Sequence, residues 1–309
     1  MKAARIREYG GPEVVKVGEI DKPAAGRGQV LVEVHASSLN PFDSSVRRGQ
    51  AQAAITSLPI TLGGDLAGVV AALGDGVSGL AVGDKVWGQA SVVAGNSGAL
   101  AEFAATSAGQ VGRMPANLDF YEAASLPLVS VSAWQALVVH LELKAGQKLF
   151  VHGGAGGIGS VAVQLAAHLG AHVTATASGD DAAFVRGLGA DTVVDYMRED
   201  FARLADFDAV FDTVGGDDFA KLLRLCKRGG RAVSMIAQID EPRARELGVT
   251  AIRQSTKVTT AALDAVAKLV EDGVIAAQVT QTFALEQVAD AFTARESGHA
   301  RGKIVIRVQ

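Results

Sequence analysis

The residues of this sequence best suited to chemistry are glycines. Gly154, Gly156 and Gly159 form a G-x-G-x-x-G run with Ala155, Gly157 and Ile158 between them. This spacing suits a backbone that must approach a pyrophosphate. The first glycine permits a tight turn, the second a close approach of the ligand, and the third close packing of a helix on a strand. The free N–H groups and positive end of that helix then face phosphate charge. The flanks supply the context that the motif requires. Leu149-Phe150-Val151-His152 is a short, mostly apolar run of strand type. Ile158, Val161, Leu165 and Leu169 recur at helical spacing, Gly170 closes the segment, and Val173 to Ala177 is a second β-branched run. Strand, glycine turn, helix and strand predict a dinucleotide-binding unit.

The end of the second run bears on which dinucleotide. It reads Thr176-Ala177-Ser178, with no acid at the tip. An acid there would bind the ribose 2′-hydroxyl of NAD and repel a 2′-phosphate. Its absence favours NADPH, with NADH as the alternative, because Asp180 and Asp181 follow closely. Those two acids equally suit the start of the next helix.

The elements around this unit predict two domains, as a length of 309 residues suggests. Before it, residues 2–8 and 14–20 read as strands joined by Gly10-Gly11-Pro12, and Val30 to His35 as another. Asn40-Pro41-Phe42-Asp43 reads as the start of a loop. Residues 60–88 carry short apolar runs broken by Gly and Gly-Asp, the texture of a compact antiparallel barrel. Residues 89–99 read as a mobile loop and Leu100 to Ala105 as a strand. Helical texture covers Tyr121 to Ser125 and Ser130 to His140. Strands are then expected at 148–152, 172–177, 192–196, 207–213 and 230–236, alternating with helices at 157–169, 181–188 and 217–228. That alternation predicts a doubly wound parallel sheet. Val249 to Gln254 adds a sixth strand and the candidate edge. Helices at 260–271 and 285–295 and a strand at 303–308 follow, and that last strand is expected to return to the first domain. The expected division is 1–121 with 275–309, and 122–274.

Composition narrows the function classes. Apolar residues make up 49% and charged residues 20%, as in a globular protein with a substantial core. A net charge of −4 offers no electrostatic case for nucleic acid or an anionic membrane. One cysteine, Cys226 in a helix-like run, excludes an internal disulfide framework and fits a reducing compartment. The N-terminus shows no signal-peptide pattern and no stretch reaches transmembrane length, so a cytoplasmic location is expected.

Taken in order, several segments resemble the medium-chain dehydrogenase/reductase superfamily, and within it the zinc-independent quinone oxidoreductases of the ζ-crystallin type. They are the opening MKAARIREYGGPEVVKV, NPFDSSVRRG from Asn40, LGGDLAGVV from Leu62, VGDKVWG from Val82 and AASLPLVSVSAWQAL from Ala123. The glycine cluster, LGADTVVDY from Leu188, FDTVGG from Phe211 and the terminal RGKIVIRV complete the set. The resemblance implies a GroES-like β-barrel domain, a Rossmann domain and a homodimer. It also implies that Asn40 and Ser132 lie near the nicotinamide and that Ser178 and Tyr196 border a 2′-phosphate. Thr213 would meet the adenine ribose, and Met235, Ile236 and Ala237 would hold the nicotinamide. Arg301 and Lys303 are read either as partners of the cofactor phosphates or as part of a solvated tail. Asp43, Arg47 and Asp84 are read as loop-fixing residues.

A zinc dehydrogenase holds its metal through three protein ligands such as Cys, His and Cys. Where zinc members carry Cys and Gly-His-Glu, this sequence has Asn40 and Gly63-Gly64-Asp65, and its six histidines show no ligand spacing. The expected acceptor is therefore one that takes hydride readily, a quinone or an α,β-unsaturated carbonyl. The alternatives are reduction of an enoyl thioester and a non-catalytic NADPH-binding role, structural or RNA-associated. Three positions depart from the family pattern: Asp180 stands where many relatives carry lysine, Ser45 where many have tyrosine, and Leu100 where an aromatic is usual.

Overall fold

In the computed structural model, which describes residues 1–51, 57–216, 219–298 and 301–309, the N-terminal runs form β1 (Lys2–Ile6) and β2 (Lys16–Glu19), paired antiparallel. β3 (Gln29–Ser38) is the spine of the larger sheet in this part of the chain. β4 (Ile60–Thr61) pairs with β1. β5 (Asp65–Leu73) and β7 (Phe103–Ser107) lie antiparallel to β3, β6 (Lys85–Gln89) to β5, and β8 (Val111–Arg113) to β6. Alternation along β3 turns Val30, Val32 and Val34 inward against Leu66, Val70 and Val86.

The second unit supplies β9 (Lys148–His152), β10 (His172–Ala177), β11 (Thr192–Asp195), β12 (Phe207–Asp212), β13 (Cys226–Ser234) and β14 (Thr250–Arg253). All are parallel, in the order β11-β10-β9-β12-β13-β14. This is the strand order of a doubly wound dinucleotide fold, with its topological switch between β9 and β12. Phe150, Phe207, Val210, Phe219 and Leu222 are buried in its core. β14 is the edge strand, as expected for residues 249–254.

The chain then returns to the first unit through β15 (Val279–Ala284) and β16 (Lys303–Arg307). β16 pairs antiparallel with β3, as expected for the terminal strand. The first unit comprises Met1–Leu128, Val258–Glu271 and Ala277–Gln309, and the second Val129–Lys257 with Asp272–Ala276. The helix Thr260–Glu271 thus belongs with the first unit, whereas the sequence reading grouped it with residues 122–274.

Several local expectations are corrected. Asn40-Pro41-Phe42-Asp43 does not open a loop: it starts the helix Pro41–Arg47, with Asn40 as its N-cap, Pro41 in the first turn and the Asp43 carboxylate accepting from Asn40 N at 2.7 Å. Proline restricts the chain, but its fixed φ suits the first helical position. Residues 89–99 are tied down, since Ala105 N donates to Ser97 Oγ at 2.8 Å and Asn96 Nδ2 to Gln110 Oε1 at 2.8 Å. The helix expected at 217–228 is only Phe219–Leu223 among the described residues, 217 and 218 lying outside them, as does His299. Cys226 begins β13, and burial pushes its thiol up to about 12. Helical character after Trp134 continues as a π-type segment, Gln135–His140. Among the described residues, no helix is long and apolar enough to cross a membrane.

Candidate active site

The glycine loop leaves β9 at the switch point and enters the helix Gly157–His168, with Gly156 as its N-cap. Its turn is made at Gly153, whose φ of +90° lies in the left-handed region, one residue before the motif begins. A Cβ on Gly159 would lie 2.0 Å from Gly153 O, so only glycine lets the helix come this near the loop. A Cβ on Gly156 would meet nothing nearer than Gly153 O at 3.6 Å. Backbone crowding therefore fixes the third glycine, while the second leaves room for a ligand. Gly153 N donates to Thr176 Oγ1 at 2.9 Å and Gly154 N to Thr176 O at 2.8 Å, which holds the loop against the end of β10.

The other residues expected at the cofactor follow the C-terminal ends of the parallel strands, so the sheet places them along one edge. Ser178 follows β10 and Tyr196 follows β11, with Tyr196 N donating to Ala177 O at 3.2 Å. Ser178 Oγ donates to Asp181 Oδ2 at 3.0 Å. Thr213 follows β12, and its hydroxyl donates to His152 O at 2.7 Å. Met235, Ile236 and Ala237 follow β13. Along this edge Tyr196, Val214 and Ile236 are about half exposed, an apolar rim of the kind that ligand sites use.

Beneath the rim lies a buried cluster that sequence reading missed. His152 Nδ1 is 3.1 Å from Asp212 Oδ1, spanning the ends of β9 and β12. Asp212 also accepts from Val214 N and Gly215 N at 3.0 Å and from Ser234 Oγ at 2.6 Å. Ser234 Oγ in turn accepts from Ile236 N at 3.2 Å and Ala237 N at 2.9 Å. One carboxylate thus organises the loops after β12 and β13. Burial pushes its pKa up, but the hydrogen bonds from His152, Gly215, Ser234 and Val214 outweigh burial and hold it below the usual carboxylate value.

Ser132 is buried in the helix Pro127–Trp134, its hydroxyl 2.7 Å from Thr256 Oγ1. Gln254, just after β14, donates through Nε2 to Ser132 O at 3.0 Å, and its Oε1 finds no partner among the described residues. Ser132 therefore joins a small polar group at the end of β14.

Asn40 lies in the first unit, in a second buried network. Its Nδ2 donates to Asp65 Oδ2 at 2.8 Å and its Oδ1 accepts from Lys303 Nζ. Lys303 also donates to Leu39 O at 2.9 Å and stands 3.7 Å from Asp65 Oδ2. The Asp65 carboxylate accepts further from Gln89 Nε2 at 3.0 Å, Leu128 N at 3.1 Å and Ser38 Oγ at 3.3 Å. Lys303 is neither a solvated tail residue nor an arm toward solvent phosphate, because β16 buries it beside Asn40. Burial lowers its pKa, with the charges of Asp65 and Asp43 opposing. Burial pushes Asp43 up to about 6, the Asp65 charge adding to it against the Asn40 N–H and the charges of Lys303 and Arg295. Arg47 donates to Gly10 O and to Glu296 Oε1, and Asp84 accepts from Ala81 N and pairs with Arg113, so both fix loops as expected.

The positions where zinc relatives carry ligands hold an amide and a carboxylate, both engaged within the protein. Among the described residues, no group of three or more His, Cys, Asp or Glu side chains could hold a metal ion.

The chain is similar to known proteins over most of its length. Residues 26–116 match the alcohol dehydrogenase GroES-like domain and residues 188–306 match the zinc-binding dehydrogenase family. The chloroplastic NADPH-dependent alkenal/one oxidoreductase of Arabidopsis thaliana is 37% identical, over 99% of this chain and 79% of its own length. The quinone oxidoreductase of Coxiella burnetii has the same fold with a TM-score of 0.90 at 33% identity, over 100% of this chain and 99% of the other. That of Escherichia coli, complexed with NADPH, gives a TM-score of 0.91 at 26% identity over 100% of both chains.

Proposed function

The chain belongs to the medium-chain dehydrogenase/reductase superfamily, alongside its quinone oxidoreductases and alkenal/one reductases, and from that premise we propose that it is an NADPH-dependent reductase of quinones and α,β-unsaturated carbonyls. The observation that carries the proposal is the glycine loop at the switch point, with an open face at Gly156 and no acid at the tip of β10. Gly154 to Gly159 hold the pyrophosphate at the N-terminus of the helix Gly157–His168. Ser178 and Tyr196 border the 2′-phosphate, Thr213 meets the adenine ribose, and Met235, Ile236 and Ala237 hold the nicotinamide. NADH remains the weaker alternative, as Asp180 and Asp181 stand near the ribose end.

When bound, the reduced nicotinamide supplies the hydride. An enone or quinone that accepts hydride moves negative charge onto its oxygen, where a neutral donor suffices to stabilise it. Asn40 and Ser132 are the residues we assign to the reacting end, as donors from an amide N–H and a hydroxyl. The reaction proceeds without zinc, a reading supported by the engagement of Asn40 and Asp65 within the protein. Positioning is the larger part of the protein's contribution. A homodimer paired through the β14 edge and a cytoplasmic location belong to the same proposal.

The test is a panel assay of NADPH and NADH oxidation with quinones, enones and crotonyl-type thioesters. Turnover on quinones or enones with preference for NADPH is expected. Turnover confined to thioesters would replace the substrate class, and binding without turnover on any acceptor would leave a non-catalytic role.

A further inference from the structure

We propose that Lys303 is a positioning residue that fixes the orientation of the Asn40 amide so that Asn40 presents an Nδ2 hydrogen to a ligand as a donor. The inference rests on the reading that places Asn40 at the reacting end. An ammonium has no acceptor, so the Asn40 atom facing Lys303 Nζ is the oxygen. A carboxylate has no donor, so the atom facing Asp65 Oδ2 at 2.8 Å is the nitrogen. The two constraints are independent and agree, and they leave the amide one orientation. Lys303 takes one lone pair of Asn40 Oδ1 and Asp65 takes one Nδ2 hydrogen. The donor left for a ligand is the second Nδ2 hydrogen.

Lys303 is itself fixed from several sides. Its chain position is set by the β16–β3 pairing, its ammonium donates to Leu39 O at 2.9 Å, and it is buried. A flipped amide would set its NH2 against the ammonium and its carbonyl against the carboxylate, and burial magnifies both repulsions. Asn40 is thereby pre-organised before any ligand arrives, which is the condition under which a donor lowers a barrier rather than merely binding. The ligand atom it serves is an oxygen, from either the cofactor ribose or the acceptor carbonyl.

The test uses the full-length protein and reads NADPH affinity, kcat and KM separately, with thermal unfolding as the folding control. Removing Lys303 alone leaves Asp65 buried and unpaired, so the charge-balanced pair Asp65→Asn with Lys303→Met is used. Asn40→Asp keeps the shape of the amide but cannot donate, and it should lose as much as Asn40→Ala, about 10- to 100-fold. The loss falls on NADPH affinity if the oxygen is the cofactor's, and on kcat or acceptor KM if it is the acceptor's. The charge-balanced pair should lose about tenfold in the same parameter. Added to Asn40→Ala, it should cause no further loss, since Lys303 acts through Asn40. Losses that multiply in the triple variant, a charge-balanced pair as active as the native protein, or an Asn40→Asp variant with native activity would each overturn the proposal while leaving Asn40 at the site. An Asn40→Ala variant unchanged in affinity and turnover would instead remove Asn40 from the reacting end, and this inference with it.

Discussion

His152 Nδ1 and Asp212 Oδ1 lie 3.1 Å apart across the switch point of the parallel sheet, joining the last residues of β9 and β12. The pair does more than close a gap between strands. Through Asp212 it reaches Val214 N, Gly215 N and Ser234 Oγ, and through Ser234 the turn at Ile236 and Ala237. The shape of the loops after β12 and β13 therefore depends on one buried carboxylate.

Asp212→Asn keeps the shape but replaces an acceptor with an NH2 group, leaving at least one donor orphaned. A stability loss of about 1–3 kcal/mol is expected, together with weaker NADPH binding as both loops shift. Because its folded pKa lies below the unfolded carboxylate value, the stability Asp212 contributes is present above that value and is lost as pH falls through the folded one. Thermal unfolding and fluorescence titration of NADPH check both effects. Native affinity in a folded Asp212→Asn protein would remove this role.

The second and third glycines of the motif should fail in different ways. Gly159→Ala forces a Cβ to 2.0 Å from Gly153 O, so the helix must move and the unfolding temperature should fall by several degrees. Gly156→Ala places a Cβ 3.6 Å from Gly153 O, an ordinary van der Waals distance, so the protein should fold normally and lose NADPH affinity tenfold or more. Calorimetry of unfolding and of nucleotide binding on the two variants separates the cases.

How far the sequence was legible follows from what each residue's neighbours are. β9 and β10 occur at the residues expected, because short, mostly apolar runs bounded by glycine have few other solutions. The helix after Asn40 was missed although Asn as N-cap, Pro in the first turn and Asp three residues on are its signals, because the same residues also make turns. His152 and Asp212 are 60 residues apart, and Asn40 and Lys303 are 263 apart. Spacing carries no information about such pairs, since the sheet register alone brings them together. Lys303 stands in a segment quoted for its family likeness, yet only β16 lying beside β3 shows that its ammonium is buried.

Cofactor preference should respond to charge near the β10 tip. Asp180→Lys replaces a carboxylate with an ammonium where a 2′-phosphate would sit. NADPH KM should fall about five- to tenfold with NADH KM little changed. Initial rates with both nucleotides provide the measurement, and an equal change for both would argue against the 2′-phosphate lying there.

Asp43 gives a pH signature of opposite sign to that of Asp212. Its folded pKa is raised from 3.8 to about 6, so the folded state holds the proton more tightly than the unfolded chain. The stability it contributes is full below the unfolded value and is lost as pH rises through the folded one. Between those limits the native protein should lose up to about 3 kcal/mol relative to Asp43→Asn. Denaturant unfolding of both proteins across that window tests it, and parallel pH curves would contradict it.

The most direct measurement follows the hydride itself. The chelator-treated protein is given an enone and NADPH carrying two deuteriums at the nicotinamide C4, and the product is examined by mass spectrometry and NMR. Deuterium at the β-carbon of the saturated product, formed as fast as by the untreated protein with the same nucleotide, is the predicted result. A product without label, or turnover that returns only when zinc is restored, would contradict the account.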